Sequence, residues 1–389
     1  TVSRAIGRGD HGQVRRLTTD SLLLAVLTAG VFGVIGLCTM DPLFRLLGAS
    51  AQIRPLIHEY MSIWYPGMLC VVIPMIGNNA IRATGNTWTP GLVMFIAVIV
   101  NAILDPLLIF GLGPFPAMGM AGAAAATVLS RTFTLFVSLW VLGVRYRMLA
   151  PVSISRERLW RSWRPVLAIG VPGAATQMII PLGVGIITNL VARYGPEAVA
   201  ALGVASRVEG LALIVVSALA TVLTPFIGQN RGASRVGRVE EGIRRSRQFA
   251  VGWGAFAAVI LWLSASWIGR IFTDDPQVVE TTMLYLRIVP LAYAFQGILI
   301  ISGSALNVLH RPLQSMALSL IYMFGLAVPL SCAGAALAAL PGIFTGGAVS
   351  RVIAGGISQV WIGRVVREEQ VRAGEEVFTW NVDDSVIQG

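Results

Sequence analysis

The 389-residue chain is 55% hydrophobic and only 12% charged, with a mean hydropathy of +0.74, where a soluble globular domain carries roughly 25% charged residues. A soluble core cannot hide that apolar excess, because a larger soluble protein still needs a polar skin; lipid is its ordinary contact. The net charge is +10 and all 29 basic residues are Arg, set in short loops between apolar runs, the positive-inside pattern of a membrane protein rather than the basic face of a nucleic-acid-binding domain.

In chain order, a polar and basic stretch, Thr1–Asp20, comes first and has no signal-peptide pattern; it reads as a loop. Apolar runs long enough to span, at about 20 residues per helix, follow at Ser21–Met40, Ile57–Asn79, Pro90–Phe110, Met118–Leu142, Pro165–Ala192, Ala200–Gly228, Phe249–Ile268, Met283–Leu306, Met316–Ala333 and Leu337–Ile362, with a polar tail from Arg364 to Gly389. The fold class expected is all-α integral membrane. Cys38, Cys70 and Cys332 lie inside apolar runs without paired spacing, so they read as small buried residues rather than disulfides or zinc ligands.

Placing Thr1–Asp20 on one side assigns every loop. That side receives Arg4, Arg8, Arg15, Arg16, Arg82, the six arginines from Arg145 to Arg164, the six from Arg231 to Arg247, Arg311, Arg364, Arg367 and Arg372. The other side receives Arg45, Arg54, Arg193 and Arg270 with several acids beside them. The asymmetry puts both ends of this chain in the cytoplasm.

The chain also repeats itself. Thr1-Val2 through Ile6-Gly7 pairs with Thr221-Val222 through Ile227-Gly228, Phe44 with Phe272, Tyr60 with Tyr285, Pro106 with Pro329, and Ser130-Arg131 with Ser350-Arg351, at an offset that stays nearly constant. The second copy carries an extra stretch, about Trp163 to Ala220, with no counterpart before Thr1. Roughly 60 residues, or two helices, are therefore expected to precede Thr1 in a complete repeat. The organisation expected is two pseudo-symmetric six-helix bundles with about ten of twelve helices present: an N-terminal bundle over 1–145, a cytoplasmic linker over 146–164, a C-terminal bundle over 165–366 and a cytoplasmic tail over 367–389.

A charge inside a span costs about 2.5–3.5 kcal/mol on insertion scales and is by default a functional candidate. Asp105 is the best placed, in Asn101-Ala102-Ile103-Leu104-Asp105-Pro106. Asn101 and Asp105 are four apart and share a helical face, and Pro106 frees the carbonyl of Ala102. An amide oxygen, a carboxylate and a loose carbonyl within one turn suit Na⁺ or a proton. The repeat supplies a control: Pro106 has its partner Pro329, but Asp105 falls opposite Val328, so the carboxylate is not part of the shared architecture. Thr127, in the small-residue run Gly119–Thr127, offers a further hydroxyl. Arg207 and Glu209 enter their span near its outer end and, with Gln177 and Gln296, are candidates for a substrate path. Arg131 and Arg351, being repeat equivalents, read as architecture. Pro66, Pro74, Pro172, Pro181, Pro225, Pro290 and Pro329 are expected to kink their helices.

The run Asn101 to Pro116 followed by Gly119 to Arg131, together with Ile169-Gly170-Val171-Pro172 and Gly228-Gln229-Asn230-Arg231-Gly232-Ala233, resembles the multidrug and toxic compound extrusion (MATE) family over about Thr1–Arg367. The resemblance implies a V-shaped pair of six-helix bundles that exports cationic, amphipathic drugs against H⁺ or Na⁺. The pattern is closer to the branch that includes DNA-damage-inducible protein F. That branch implies a cation site in the N-terminal bundle, which carries over to Asn101, Asp105 and Thr127. The acidic positions of the other bacterial branch fall at Ile180 and Gln296, both uncharged here.

The expected function is secondary active multidrug export from the cell inner membrane. The expected partners are organic cations and the lipid bilayer, with no nucleic acid, and the protein is expected to be a monomer. No cofactor is expected beyond the coupling ion, and no Walker A, HExxH or GxSxG run points to an enzyme. Rival readings are a lipid-linked oligosaccharide flippase of the same design, which would carry several arginines in its central cavity, and a non-transporting membrane scaffold.

Overall fold

In the computed structural model, which describes residues 1–46, 50–151 and 155–387, the chain is all helix. Residues 152–154 of the expected linker and 388–389 of the expected tail lie outside the described residues. The elements are α1 (Val2–Gly7), α2 (His11–Leu46), α3 (Arg54–Ala83), α4 (Trp88–Phe110), α5 (Gly119–Trp140), α6 (Arg156–Ala192), α7 (Pro196–Gly232), α8 (Val236–Phe272), α9 (Pro276–Ile288), α10 (Tyr293–Val308), α11 (Pro312–Leu320) and α12 (Val328–Ile387).

Among the described residues nine stretches are long and apolar enough to cross a membrane. The last of them, Pro312–Val371, folds back on itself. Ala338 and Ala339 leave helical geometry, the latter at φ +53°, ψ −134°. Beyond them the two arms run antiparallel: Gly334 lies against the backbone of Gly342, Gly346 against Leu330, and Ser331 Oγ donates to Ile343 O at 3.4 Å. Nine stretches with one doubled give the ten spans expected from the apolar runs.

Several helices begin well outside those runs. α1 and the first part of α2 are helical where a loop was expected, α6 starts at Arg156 and α8 at Val236, and α12 continues through the polar tail to Ile387. Apolarity marks where a helix meets lipid; arginine is nearly as good a helix former as leucine, so the helix does not stop at that boundary.

The chain divides into two compact units, Thr1–Val166 and Leu167–Gly389. In the first, α2 and α5 pack on α3, and α4 packs on α5. The α4–α5 contact depends on Gly122, where a Cβ would run into the carbonyl of Leu108; small residues allow such close approach between membrane helices. α4 ends on Gly111 in the left-handed region (φ +71°), its N–H donating to Leu107 O, and Met118 N then donates to Leu108 O at 3.0 Å to start α5 alongside. A buried cluster of Ala5, Val14, Leu17, Ile81, Leu142 and Met148 closes the arginine-rich end. There Thr19 Oγ1 accepts from Ala150 N at 2.9 Å and Trp163 Nε1 donates to Asp20 O at 2.7 Å.

In the second unit α10 is central, packed by α7, α8 and α12, with buried clusters around Ile227, Ile301 and Ile362 at one end and around Leu286, Tyr293 and Phe344 nearer the other. Large apolar side chains such as Leu263, 70% exposed, face outward, the inverse of a soluble surface. Cys38 and Cys332 are exposed on that apolar surface rather than buried.

Most of the prolines expected to kink their helices leave the helix type unchanged. Pro66 and Pro74 lie inside α3 and Pro225 inside α7 without a change of helix type, and residues 172 and 181 fall within α6. Only Pro290, in a 3₁₀ turn between α9 and α10, and Pro329, just after a π-helical stretch at Ile321–Ala327, coincide with one. Pro106, the repeat partner of Pro329, sits in unbroken α4. Neighbouring helices and local readjustment can satisfy the backbone groups that a membrane proline frees.

Candidate ion and substrate sites

The Asn101–Asp105 pair lies on α4 one helical turn apart, and Asn101 Nδ2 donates to Asp105 Oδ1 at 3.3 Å. Both side chains are half-buried, and among the described residues Asp105 has no basic partner. The hydrogen bond it accepts comes from a neutral amide rather than a cation. α4 and α5 run antiparallel with Leu108 against Met118 and Gly122 at one end and Met94 against Arg131, whose Nη1 lies 3.6 Å from Met94 Sδ, at the other. That register brings Thr127 level with Asn101. Thr127 Oγ1 donates to Ala123 O at 3.1 Å, which leaves the hydroxyl oxygen free to accept or to ligate.

The second unit holds a different acidic site. Glu209 on α7 accepts from Arg351 Nη2 of α12 at 2.9 Å, and its other oxygen accepts from the Tyr285 hydroxyl of α9. Arg351 Nη1 also donates to Gly347 O at 3.1 Å. The side chains of the ion pair are only 14% and 17% exposed. Phe344 covers Tyr285 edge to face at 5.1 Å between centroids. These groups, with Ser206 and Ser331, line a cavity of about 320 Å³ whose remaining wall is aliphatic. Glu209 stands thirteen residues beyond Pro196 and Arg351 twelve beyond Ala339, about 20 Å and 18 Å along their helices at 1.5 Å per residue. Both charges therefore stand well inside their helices rather than at the ends.

The remaining candidates separate. Arg207, two residues from Glu209, is exposed on the other side of α7, and Gln177 is exposed on α6. Gln296 on α10 is half-buried with its Oε1 unpartnered, and the Tyr293 hydroxyl one turn before it is likewise buried without a partner. Arg351 and its repeat partner Arg131 read alike in the sequence, as architecture. The structure gives the two different roles: Arg131 is half-buried beside a methionine sulfur, whereas Arg351 neutralises a carboxylate. The missed signal was depth, since Glu209 and Arg351 are opposite charges at matching distances from the same end of their spans.

A family model described as MatE matches residues 1–107 and 172–332, more than half of the chain. The chain belongs to the MATE family of transporters. Among its relatives, a FAD transporter of Shewanella oneidensis is 36% identical over 91% of this chain and 78% of its own length. A probable multidrug resistance protein NorM of Thermotoga maritima is 28% identical over 85% of this chain and 71% of its own. The crystal structure of the Vibrio cholerae MATE transporter VcmN in the bent form superposes with a TM-score of 0.89 at 25% identity, covering 95% of this chain and 83% of that one. These relatives are transporters rather than enzymes, and the two-bundle MATE fold is that of this transporter.

Proposed function

We propose that this MATE transporter is an ion-coupled exporter in which H⁺ or Na⁺ taken up at Asn101, Asp105 and Thr127 drives an amphipathic organic molecule outward across the cytoplasmic membrane. The observation that carries the reading is a half-buried carboxylate whose hydrogen-bond partner is a neutral amide. A charge held in a poorly solvated place without a counter-charge gains from binding a small cation, and a ligand that prefers one packing of the helices shifts the population toward it. Export of organic cations and drugs is the first reading of the cargo, in keeping with the relatives named as multidrug resistance proteins. A second reading, export of a flavin nucleotide, is favoured by the 36% identity to a protein named a FAD transporter. Gln296, with its unpartnered amide oxygen, and the exposed Arg207 and Gln177 are candidates for the cargo's path, while Glu209 is committed to Arg351. The arginine-rich loops are placed on the cytoplasmic side, and the transporter acts as a monomer.

The test is transport in proteoliposomes under an imposed H⁺ or Na⁺ gradient, with ethidium and FAD as separate cargoes, comparing the wild type with Asp105→Asn. Gradient-driven movement of either cargo that disappears in the variant supports the reading, and the cargo moved chooses between its two forms. Equal transport by both proteins at equal protein levels overturns it.

A further inference from the structure

At the arginine-rich end of the first unit, α2 and the start of α6 enclose a polar cavity of about 500 Å³ lined by Gln13, Arg16, Leu17, Arg161, Ser162 and Pro165. We propose that this cavity is a binding site for a phosphate group, supplied by the headgroup of an anionic membrane lipid.

Three observations carry this. First, the cavity presents two guanidinium groups with no opposing acid. Neither Arg16 nor Arg161 forms an ion pair with a carboxylate among the described residues. Arg161 spends only its Nε, on Glu157 O at 3.4 Å. Asp20, one turn beyond Arg16, is almost fully buried, its main-chain carbonyl accepts from Trp163 Nε1, and it is not among the residues lining the cavity. Among the described residues, none of the acids close in sequence, Asp10, Asp20 and Glu157, lines the cavity or forms an ion pair with either arginine. Guanidinium groups and a serine hydroxyl are the donors that phosphate oxygens take.

Second, the cavity is at headgroup depth. The apolar run of α2 begins at Ser21, five residues beyond Arg16, and that of α6 at Pro165, four beyond Arg161, so the two arginines stand about 6–8 Å outside the hydrocarbon boundary at 1.5 Å per residue. The headgroup region of each leaflet is itself about 5–8 Å thick. Leu17 and Pro165 give the cavity an apolar edge beside its polar groups. Trp160, 59% exposed on the turn of α6 before Trp163, is an aromatic of the kind that settles at the interface.

Third, the two walls are tied together by bonds that do not use the cavity's own donors. Trp163 Nε1 to Asp20 O and Ala150 N to Thr19 Oγ1 hold α6 and the segment before it to α2, while Gln13 Oε1 accepts from Arg8 Nη2 at 2.8 Å and leaves its amide nitrogen free. Basic pockets between membrane helices are recognised sites for acidic headgroups.

The experiment is native mass spectrometry of the purified full chain with dioctanoyl phosphatidylglycerol, repeated with dioctanoyl phosphatidylcholine and with inorganic phosphate as competitor. The site variant is Arg16→Gln with Arg161→Gln. The control is Arg15→Gln with Arg164→Gln, which removes the same charge from exposed neighbours that do not line the cavity. One phosphatidylglycerol should bind tightly to the wild type and the control, and about thirtyfold more weakly to the site variant, at ~1 kcal/mol for each arginine. Tight phosphatidylglycerol binding that millimolar inorganic phosphate does not displace identifies the lipid headgroup as the source. Displacement by inorganic phosphate keeps the phosphate site and assigns it to a soluble ligand. Equal weakening in the two double variants, or none in either, overturns the proposal, and thermal melting of both variants separates lost binding from lost folding.

Discussion

Each unit holds a half-buried carboxylate within one of its spans, and the two are treated in opposite ways. In the first, Asp105 meets the Asn101 amide and no cation. In the second, Glu209 meets the Arg351 guanidinium and the Tyr285 hydroxyl. The repeat-equivalent arginines sharpen the contrast, since Arg131 lies beside Met94 while Arg351 closes a charge pair. An anion with a fixed partner is electrically complete and has little to gain from a mobile ion, whereas one without remains open to exchange. The comparison teaches that the two halves share the arginine but not its electrostatics, and this difference is why the proposed coupling-ion site is the one in the first unit.

The variants that break this contrast can be ranked. Asp105→Asn is expected to have the largest effect, reducing gradient-driven cargo movement in proteoliposomes to that of empty vesicles while leaving the melting temperature near wild type. Arg351→Met should come next: it strands a buried carboxylate, at a cost of about 3–5 kcal/mol, read as a large drop in melting temperature. The double change Arg351→Met with Glu209→Gln should recover most of that loss, and a double variant no more stable than the single one would show that the pair is not what stabilises this region. Tyr285→Phe removes a hydrogen bond to a charged acceptor and should cost about 1.5–3 kcal/mol, again by thermal melting and without altering the ion dependence of transport. Thr127→Val should be the mildest, shifting the ion concentration for half-maximal transport a few-fold with the maximal rate retained; an unchanged ion dependence would remove Thr127 from the site.

The spans were legible in the sequence because lipid-facing helices must be apolar over a known length, and the ten runs correspond to the nine helical stretches once the fold-back at Ala338–Ala339 is counted. Asn101 and Asp105 were legible for a local reason: four residues apart on a helix is enough to make them neighbours. Glu209 and Arg351 were not paired in advance because they are 142 residues apart, and only helix packing brings them together. The repeat equivalence of Arg131 and Arg351 fixes their position but not their contacts, which differ between the two units. The helical starts of α2, α6 and α8 were missed because a charged segment that leaves the membrane loses its apolar signature and keeps its helical propensity.

The fold-back at Ala338–Ala339 has a mechanical consequence. With Gly334 lying against Gly342 and Leu330 against Gly346, there is no slack between the two arms, and a push on one is delivered to the other within a single turn. An epitope spliced into the reversal is therefore expected to pry apart the arms carrying Ser331 and Arg351 and loosen the grip on Glu209 from a distance.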